Sequence, residues 1–259
     1  MRILLDSLGL QARIHNQDGT RLATFLAHIE QTPGWEALFS PQEPLSPTLL
    51  ATCNILVITT RKIQDNPYTT EELAVLPAFV QRGGGLLLMT NHGDVPGRPY
   101  PNMTINDNLL AREFGIEIIN SFFASTTPNK LVEISGSALH AEHPIISGAQ
   151  TGQTVQILVT NNCSSLRVGA GAFPLAALPE TMCDYRNGDR PQGRYFAAAA
   201  QFGKGRVVIT ADSGFIGSKA ESQPGLISAN AATRPGFGLI ESGDNLTFLL
   251  NMLHWLGGA

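Results

Sequence analysis

A doubly wound α/β fold is predicted by three features of the sequence. The first 120 residues alternate short apolar runs with amphipathic stretches, the pattern of strands joined by crossover helices. The run NILVITT (54–60) is apolar and β-branched, as a strand covered on both faces must be. The stretch GDNLTFLLNMLHWLGG near the C-terminus is apolar on almost every side, so its helix belongs inside a core. Strands separated by helices pair in parallel through right-handed crossovers, and a mostly parallel sheet follows.

Taken in order, RILLDS reads as the first strand rather than as a leader, since no basic stretch precedes an apolar one. Leu22, Phe25, Leu26 and Ile29 lie at i, i+3, i+4 and i+7 and predict a helix. WEALFS is the second strand and NILVITT the third. Thr69 and Glu72 fit a capping box. The helix they open carries Leu73, Leu76, Phe79 and Val80 on one side, with a kink at Pro77 and an end at Gly83–Gly85. LLLMT is the fourth strand. A helix from about Asn106 to Phe114, capped by Asn106 or Asp107, ends at Gly115, and IEIIN follows as a fifth strand.

The second half is β-rich. KLVEISG, TVQILVT, SSLRV, PLAALPE and RYFAAAAQF read as strands between polar or Gly/Pro turns, and GKGRVVITADS as a turn into another buried strand. Asp244 or Asn245 caps the last helix. Because that helix returns to the core, residues 1–259 read as a single domain with a β-rich insertion at about 125–200. Residues 218–238 are small, polar and Gly/Pro-containing, so they read as a long surface loop of the kind that forms lids or stays disordered.

Composition narrows the function. With 259 residues, 43% hydrophobic and 15% charged, the chain has the apolar material for a full core. Net charge is −4 and no Lys/Arg cluster occurs, which argues against nucleic acid as a partner. No apolar stretch approaches the ~20 residues of a membrane-spanning helix. Cys53, Cys163 and Cys183 are odd in number and lack metal-ligand spacing, as expected of free thiols in a reducing cytoplasm.

Three stretches, YTTEELAVLPAFVQRGGGLLLMTNHGD, HPIISG, and FGKGRVVITADSGFIGS with the later DNLTFLLNMLHWLGG, resemble the class I glutamine amidotransferase-like superfamily. Within it the stretches look most like the uncharacterised, gliding-motility and intraflagellar-transport-like members, and more distantly like the trehalose-utilisation proteins. The resemblance covers roughly residues 50–125, 140–150 and 195–257. It implies a flavodoxin-like sheet. Members that hydrolyse glutamine carry a Gly-x-Cys-x-Gly elbow after the strand that here reads LLLMT. This chain has Asn91, His92 and Gly93 there, so without the thiol no acyl-enzyme forms and glutaminase activity by that route is expected to be absent. A Pro/Gly loop also replaces the helix whose N-terminus would lower a thiol's pKa. Transport-associated relatives use the fold for assembly.

In an open α/β sheet ligands sit outside the carboxyl ends of the strands. Those ends carry Asp6 and Ser7, then Asn91, His92 and Asp94, then Asp212 and Ser213, with His15, Asn16 and Asp18 in the loop after the first strand. His92, Asp94 and Asp212 are the candidate catalytic groups. Asp6, Ser7, His15, Asn16, Asn91 and Ser213 are the candidate substrate-binding groups. The cluster suits three uses. A divalent metal ion held by His92, Asp94 and Asp212, helped by His15 or Asp6, would activate a water. His92, oriented by an aspartate, would transfer protons without a metal. Carboxylates and amides would bind a polyhydroxylated molecule.

Simpler roles compete. Asp212–Ser213 can cap the GFIGS turn and Asp6 can be satisfied at its strand end. His143 before Pro144 fits a turn, and the spacing of His140 and His143 suits a metal only if two more ligands lie nearby. His254 and Trp255 fit the core, and Cys163 in VTNNCSSL fits a buried thiol better than a displaced nucleophile. The leading expectation is an enzyme acting on a small polar substrate, sugar-like or amide-bearing, with metal-assisted hydrolysis as one form. The alternative is a non-catalytic ligand-binding or protein-interaction scaffold, as a homo-oligomer or with a protein partner.

Overall fold

The computed structural model describes residues 1–98, 101–128, 130–218 and 238–258. Its strands are β1 (Arg2–Leu5), β2 (Glu36–Phe39), β3 (Ile55–Thr59), β4 (Gly85–Met89), β5 (Ile116–Ser125), β6 (Val132–Ser135), β7 (Ile157–Thr160), β8 (Asn162–Val168), β9 (Ala172–Ala177), β10 (Met182–Asp184), β11 (Tyr195–Phe202) and β12 (Gly205–Thr210). Its helices are α1 (Leu10–Asp18), α2 (Ala23–Gln31), α3 (Pro47–Leu50), α4 (Thr70–Gln81), α5 (Thr104–Ala111), α6 (Pro144–Ser147) and α7 (Asn245–Leu256).

Ten strands form one sheet in the order β10-β5-β8-β11-β12-β4-β3-β1-β2, with β9 also paired to β11. The neighbours among β2, β1, β3, β4 and β12 are parallel. The rest of the sheet is antiparallel, so the expectation of a mostly parallel sheet is corrected to a mixed one, with four parallel and five antiparallel pairings. β3 and β4 are buried at every residue, as their apolar sequences require. The fifth predicted strand, β5, is misplaced by that expectation. β12 occupies the position beside β4, and β5 pairs antiparallel with β8 and β10. Its burial alternates over Ile116–Ile119, the mark of a strand with one covered face. The predicted insertion thus supplies strands to the main sheet, apart from β6 and β7, which form a separate two-stranded sheet.

Local chemistry explains the start of α4 and the end of α5. Thr69 and Glu72 make the predicted capping box: Thr69 Oγ1 accepts from Glu72 N (3.1 Å) and Glu72 Oε2 from Thr69 N (3.0 Å). The helix continues through Pro77 to Gln81. Thr69→Ala is expected to lower folding stability by about 1 kcal/mol in urea denaturation; an unchanged midpoint would show that the box does not hold this helix end. α5 passes into a 3-10 turn at Arg112–Phe114 and ends at Gly115 (φ +74°), as predicted.

Two caps differ from expectation. Asn106 and Asp107 lie within the first turn of α5 and are buried, bonding to the segment after β3 instead of capping. Asp244 precedes α7, but its carboxylate accepts from Gln156 N and Ile157 N. Asn245 exchanges hydrogen bonds with the backbone of Val159. Both tie α7 to β7, and the helix packs its apolar sides between α6 and strands β4 and β12. Most of the loop predicted at 218–238 lies outside the described residues.

The segment expected as a loop after β1 is helix α1. Its N-cap, Gly9, offers no side chain; the N–H groups of Gln11 (3.1 Å) and Ala12 (3.4 Å) bond to Thr59 Oγ1 at the end of β3. A Cβ on Gly9 would meet that oxygen at 2.7 Å, so glycine is what lets the helix approach the strand. Among the described residues no helix is long and apolar enough to cross a membrane, and Cys53, Cys163 and Cys183 are all free thiols.

Candidate functional site

The strand order reverses at β1, with β2 on one side and β3 on the other. The crevice beyond two such strands is where open α/β sheets usually leave room for a ligand. Here it is filled by protein. Arg61, just after β3, is fully buried and donates to Asp6 Oδ2 (2.6 Å), Asp6 Oδ1 (3.0 Å) and Glu72 Oε1 (2.7 Å). Its guanidinium lies 4.7 Å from the Tyr68 ring centre. Asp6, expected to bind substrate, is instead the counterion of Arg61.

The neighbouring candidates fasten α1 to the sheet. Ser7 Oγ donates to Ser40 O (2.6 Å), and the exposed Asn16 reaches back to Ser7 Oγ at 3.4 Å. His15 stacks on Phe39 with ring centres 5.7 Å apart, and its Nδ1 accepts from Leu22 N (3.1 Å). Burial holds the His15 pKa below its usual value. Ser213 is buried and its hydroxyl is surrounded by donors. It accepts from Gln11 Nε2 (3.1 Å) and Asn91 Nδ2 (3.2 Å). Thr60 Oγ1 shares its proton between Met89 O (2.9 Å) and Ser213 Oγ (3.1 Å). Thr60 has φ +48°, an uncommon conformation for a β-branched residue, held by hydrogen bonds to Met89 and from Leu10 N. These four residues, expected to touch substrate, are tied up in structural contacts.

Beside the filled crevice, between α1 and the ends of β4 and β12, lies a cavity of about 190 Å³. Gln11, Arg21, Asn91, His92, Asn161, Asn162 and Asp212 line it. Asp212 is buried; its Oδ1 accepts from Gly214 N (2.7 Å) and its Oδ2 from Thr160 Oγ1 (3.2 Å). It therefore caps the Gly214–Ile216 turn and faces the cavity as well. Burial pushes its pKa up to about 6, against the pull of these hydrogen bonds and of Arg21. Arg21 Nε donates to Gln11 Oε1 (2.5 Å), and burial draws the guanidinium below its ordinary pKa, opposed by Asp212 and Asp18.

His92 lies against Phe122, ring centres 4.8 Å apart. Its Nδ1 is 2.8 Å from Gly93 O, which can only accept, so the neutral ring carries its proton on Nδ1 and Nε2 is the basic nitrogen. Burial lowers the His92 pKa, so the ring is neutral at pH 7. Asn91 Oδ1 accepts from His92 N (2.8 Å) while its amide nitrogen reaches Ser213. The loop then crosses to β5, where Gly93 N donates to Ser121 O (2.7 Å) and a Cβ on Gly93 would collide with Asn120.

Of the predicted catalytic groups, His92 and Asp212 share the cavity. Asp94 does not line it and pairs with Arg186 (3.2 Å). Among the described residues no group of three His, Cys, Asp or Glu side chains could hold a metal ion, which corrects the metal-ligand expectation for His92, Asp94 and Asp212. His140 pairs with Glu142, and His143 Nδ1 accepts from Ile145 N at the start of α6. Cys163 is buried, and burial raises its thiol pKa well above normal, as for a structural thiol. Sequence reasoning missed Gln11 and Arg21, whose place depends on α1. Asn161 and Asn162 carried a signal, a pair of amides directly after an apolar strand.

No family model and no curated protein matches the sequence. Solved structures match it in fold. The N-terminal domain of mmIFT52 superimposes with a TM-score of 0.69 at 15% identity, over 98% of this chain and 97% of that one. The cytoplasmic protein STM1381 from Salmonella typhimurium LT2 gives 0.58 at 15% identity, over 99% of both chains. A ThuA-like protein from Bacteroides uniformis gives 0.53 at 13% identity, over 99% of this chain and 91% of that one. At such identities the likeness is one of fold, and it agrees with the resemblance to the class I glutamine amidotransferase-like superfamily.

Proposed function

We propose that this chain, acting as one domain, binds a small hydroxyl- or amide-bearing molecule in the Arg21–His92–Asp212 cavity and exchanges protons with it through His92 and Asp212. The observation that carries this reading is the meeting, in one cavity, of a neutral imidazole and a carboxyl group with a pKa of about 6. A carboxyl group that titrates near neutral pH can both take and return a proton there, and a neutral imidazole can accept one. The surrounding amides of Gln11, Asn91, Asn161 and Asn162 match a ligand that both donates and accepts hydrogen bonds. The volume, below the ~300–1,000 Å³ typical for drug-sized ligands, suits a molecule about the size of one sugar ring. The parallel strand order β2-β1-β3-β4-β12 supports treating this half as flavodoxin-like, with its ligand at the carboxyl ends of the strands.

The test is a thermal-shift screen of sugars, polyols and small amides, with and without EDTA. A ligand at a hundred times its dissociation constant adds ~2.7 kcal/mol to stability. His92→Ala and Asp212→Asn are each expected to weaken that ligand at least tenfold, and EDTA to change nothing. Undiminished affinity in both variants would refute the assignment.

A further inference from the structure

The cavity does not stop at Asn161 and Asn162. On their other side the same two residues line a second cleft of about 240 Å³, with Phe122, Lys130 and Tyr185 in its walls. Beyond it a third cleft of about 310 Å³ shares Ser125, Thr127 and Lys130 with the second and continues to Thr181. Aromatic surface links the first two. His92 packs on Phe122, and Phe122 stacks on Tyr185 with ring centres 6.1 Å apart and planes 24° apart. Tyr185 is 46% exposed, and its ring is held in place because its hydroxyl donates to Ser125 O at 2.7 Å.

We propose that the groove takes a chain of at least two sugar-like units, one in the Asp212 cavity and the next against the face of Tyr185. This rests on the function proposed for the first cavity and adds a second subsite to it. An aromatic face offers apolar contact to the C–H side of a sugar ring, while the amides of Asn161 and Asn162, standing between the two clefts, can exchange hydrogen bonds with hydroxyls on either side. Other linear ligands fit less well. In the wall of the second cleft β5 is paired at Phe123 and Ala124 by both β8 and β10, so it offers no open edge to an extended peptide there. Among the described residues lining the second and third clefts Lys130 is the only cation, too little charge for a polyphosphate chain.

The experiment measures binding of glucose, galactose and mannose, and of their di- and trisaccharides, to wild type, Tyr185→Ala, Tyr185→Phe and Asp212→Asn. At least one disaccharide is expected to bind ten times more tightly than its monosaccharide. Tyr185→Ala should abolish that factor and leave the monosaccharide unaffected, whereas Tyr185→Phe, which keeps the aromatic face, should retain it. Asp212→Asn should weaken every member. Monosaccharide binding that depends on Asp212 but shows no gain with length, or a gain that survives Tyr185→Ala, overturns the second subsite and leaves the first cavity's role standing. Failure of every sugar to bind, with a small amide binding instead in an Asp212-dependent way, also overturns the second subsite alone. Failure of sugars and amides alike overturns both.

Discussion

Replacing Arg61 with leucine is expected to lower folding stability by about 3–5 kcal/mol, the range for breaking a buried ion pair from one side. Arg61 and Asp6 have no exposed surface and Glu72 almost none, and the guanidinium is what neutralises the two carboxylates. Without it, two charges remain where water cannot reach them, and burying an unpaired charge is among the largest penalties a substitution can create. Glu72 also accepts from Leu45 N and closes the capping box of α4, so the damage extends to that helix. The measurement is urea unfolding of Arg61→Leu beside Arg61→Leu/Asp6→Asn. The double variant should recover part of the loss, because it removes one of the stranded charges. A single variant within 1 kcal/mol of wild type would mean that the cluster does not hold the crevice together.

Asp107→Asn is expected to gain stability relative to wild type as pH rises from 5 to 8, by a few kcal/mol. Asp107 is buried beside Arg61, and burial is the main reason its pKa is pushed up to about 7. Its neighbours are Arg61 after β3, Tyr68 before α4 and Thr90 at the end of β4, and Arg61 in turn bonds Glu72 on α4 and Asp6 at the end of β1. The guanidinium is bonded to Asp6 and Glu72, and Asp107, held by the Arg61 backbone N, is a third carboxyl in its field. Asp107 Oδ1 accepts from Arg61 N and Tyr68 Oη, both at 3.2 Å, whereas Asp107 Oδ2 and Thr90 Oγ1 are buried without hydrogen-bond partners. A proton on Asp107 relieves the excess charge and turns that oxygen into a donor. Because the folded pKa lies above the unfolded one of 3.8, the native state keeps this proton where the unfolded chain has released it. The associated stability is complete below about pH 4 and is lost as pH rises through about 7. Asparagine reproduces the protonated form at every pH. The buried histidines act in the opposite direction, and Asp212 in the same one, but both cancel in the difference between the two proteins. Unfolding free energies measured at pH 5, 6.5 and 8 should diverge steadily; parallel values would show that Asp107 is ionised throughout.

Much of the fold was legible because the signals were local. The fully apolar runs at β3 and β4, the Thr69–Glu72 box and Gly115 each act within a few residues of where they are read. Helix α1 was not, because its first N–H groups are capped by Thr59, far away in the chain, and LQARIHNQD has no apolar stripe to announce it. The placement of β5 was also hidden, since its sequence says that it is a strand but not which neighbour it will find. The same division runs through the candidate site. His92 and Asp212 could be brought together from sequence because both follow parallel strands whose carboxyl ends share one edge of the sheet.

The sequence by itself determined the α/β class, the buried central strands and the sheet edge on which polar groups gather. These depend on periodic burial and on caps, which are written into neighbouring residues. Only the tertiary structure decided which of those polar groups remain open to a ligand. Asp6 went to Arg61, Asp94 to Arg186 and Ser213 to a buried hydrogen-bond network, while Arg21 and the two asparagines joined the cavity from elements whose position the sequence did not disclose. The physical reason is that the fate of a buried charge or hydroxyl depends on its partners, and here those partners arrive from distant parts of the chain.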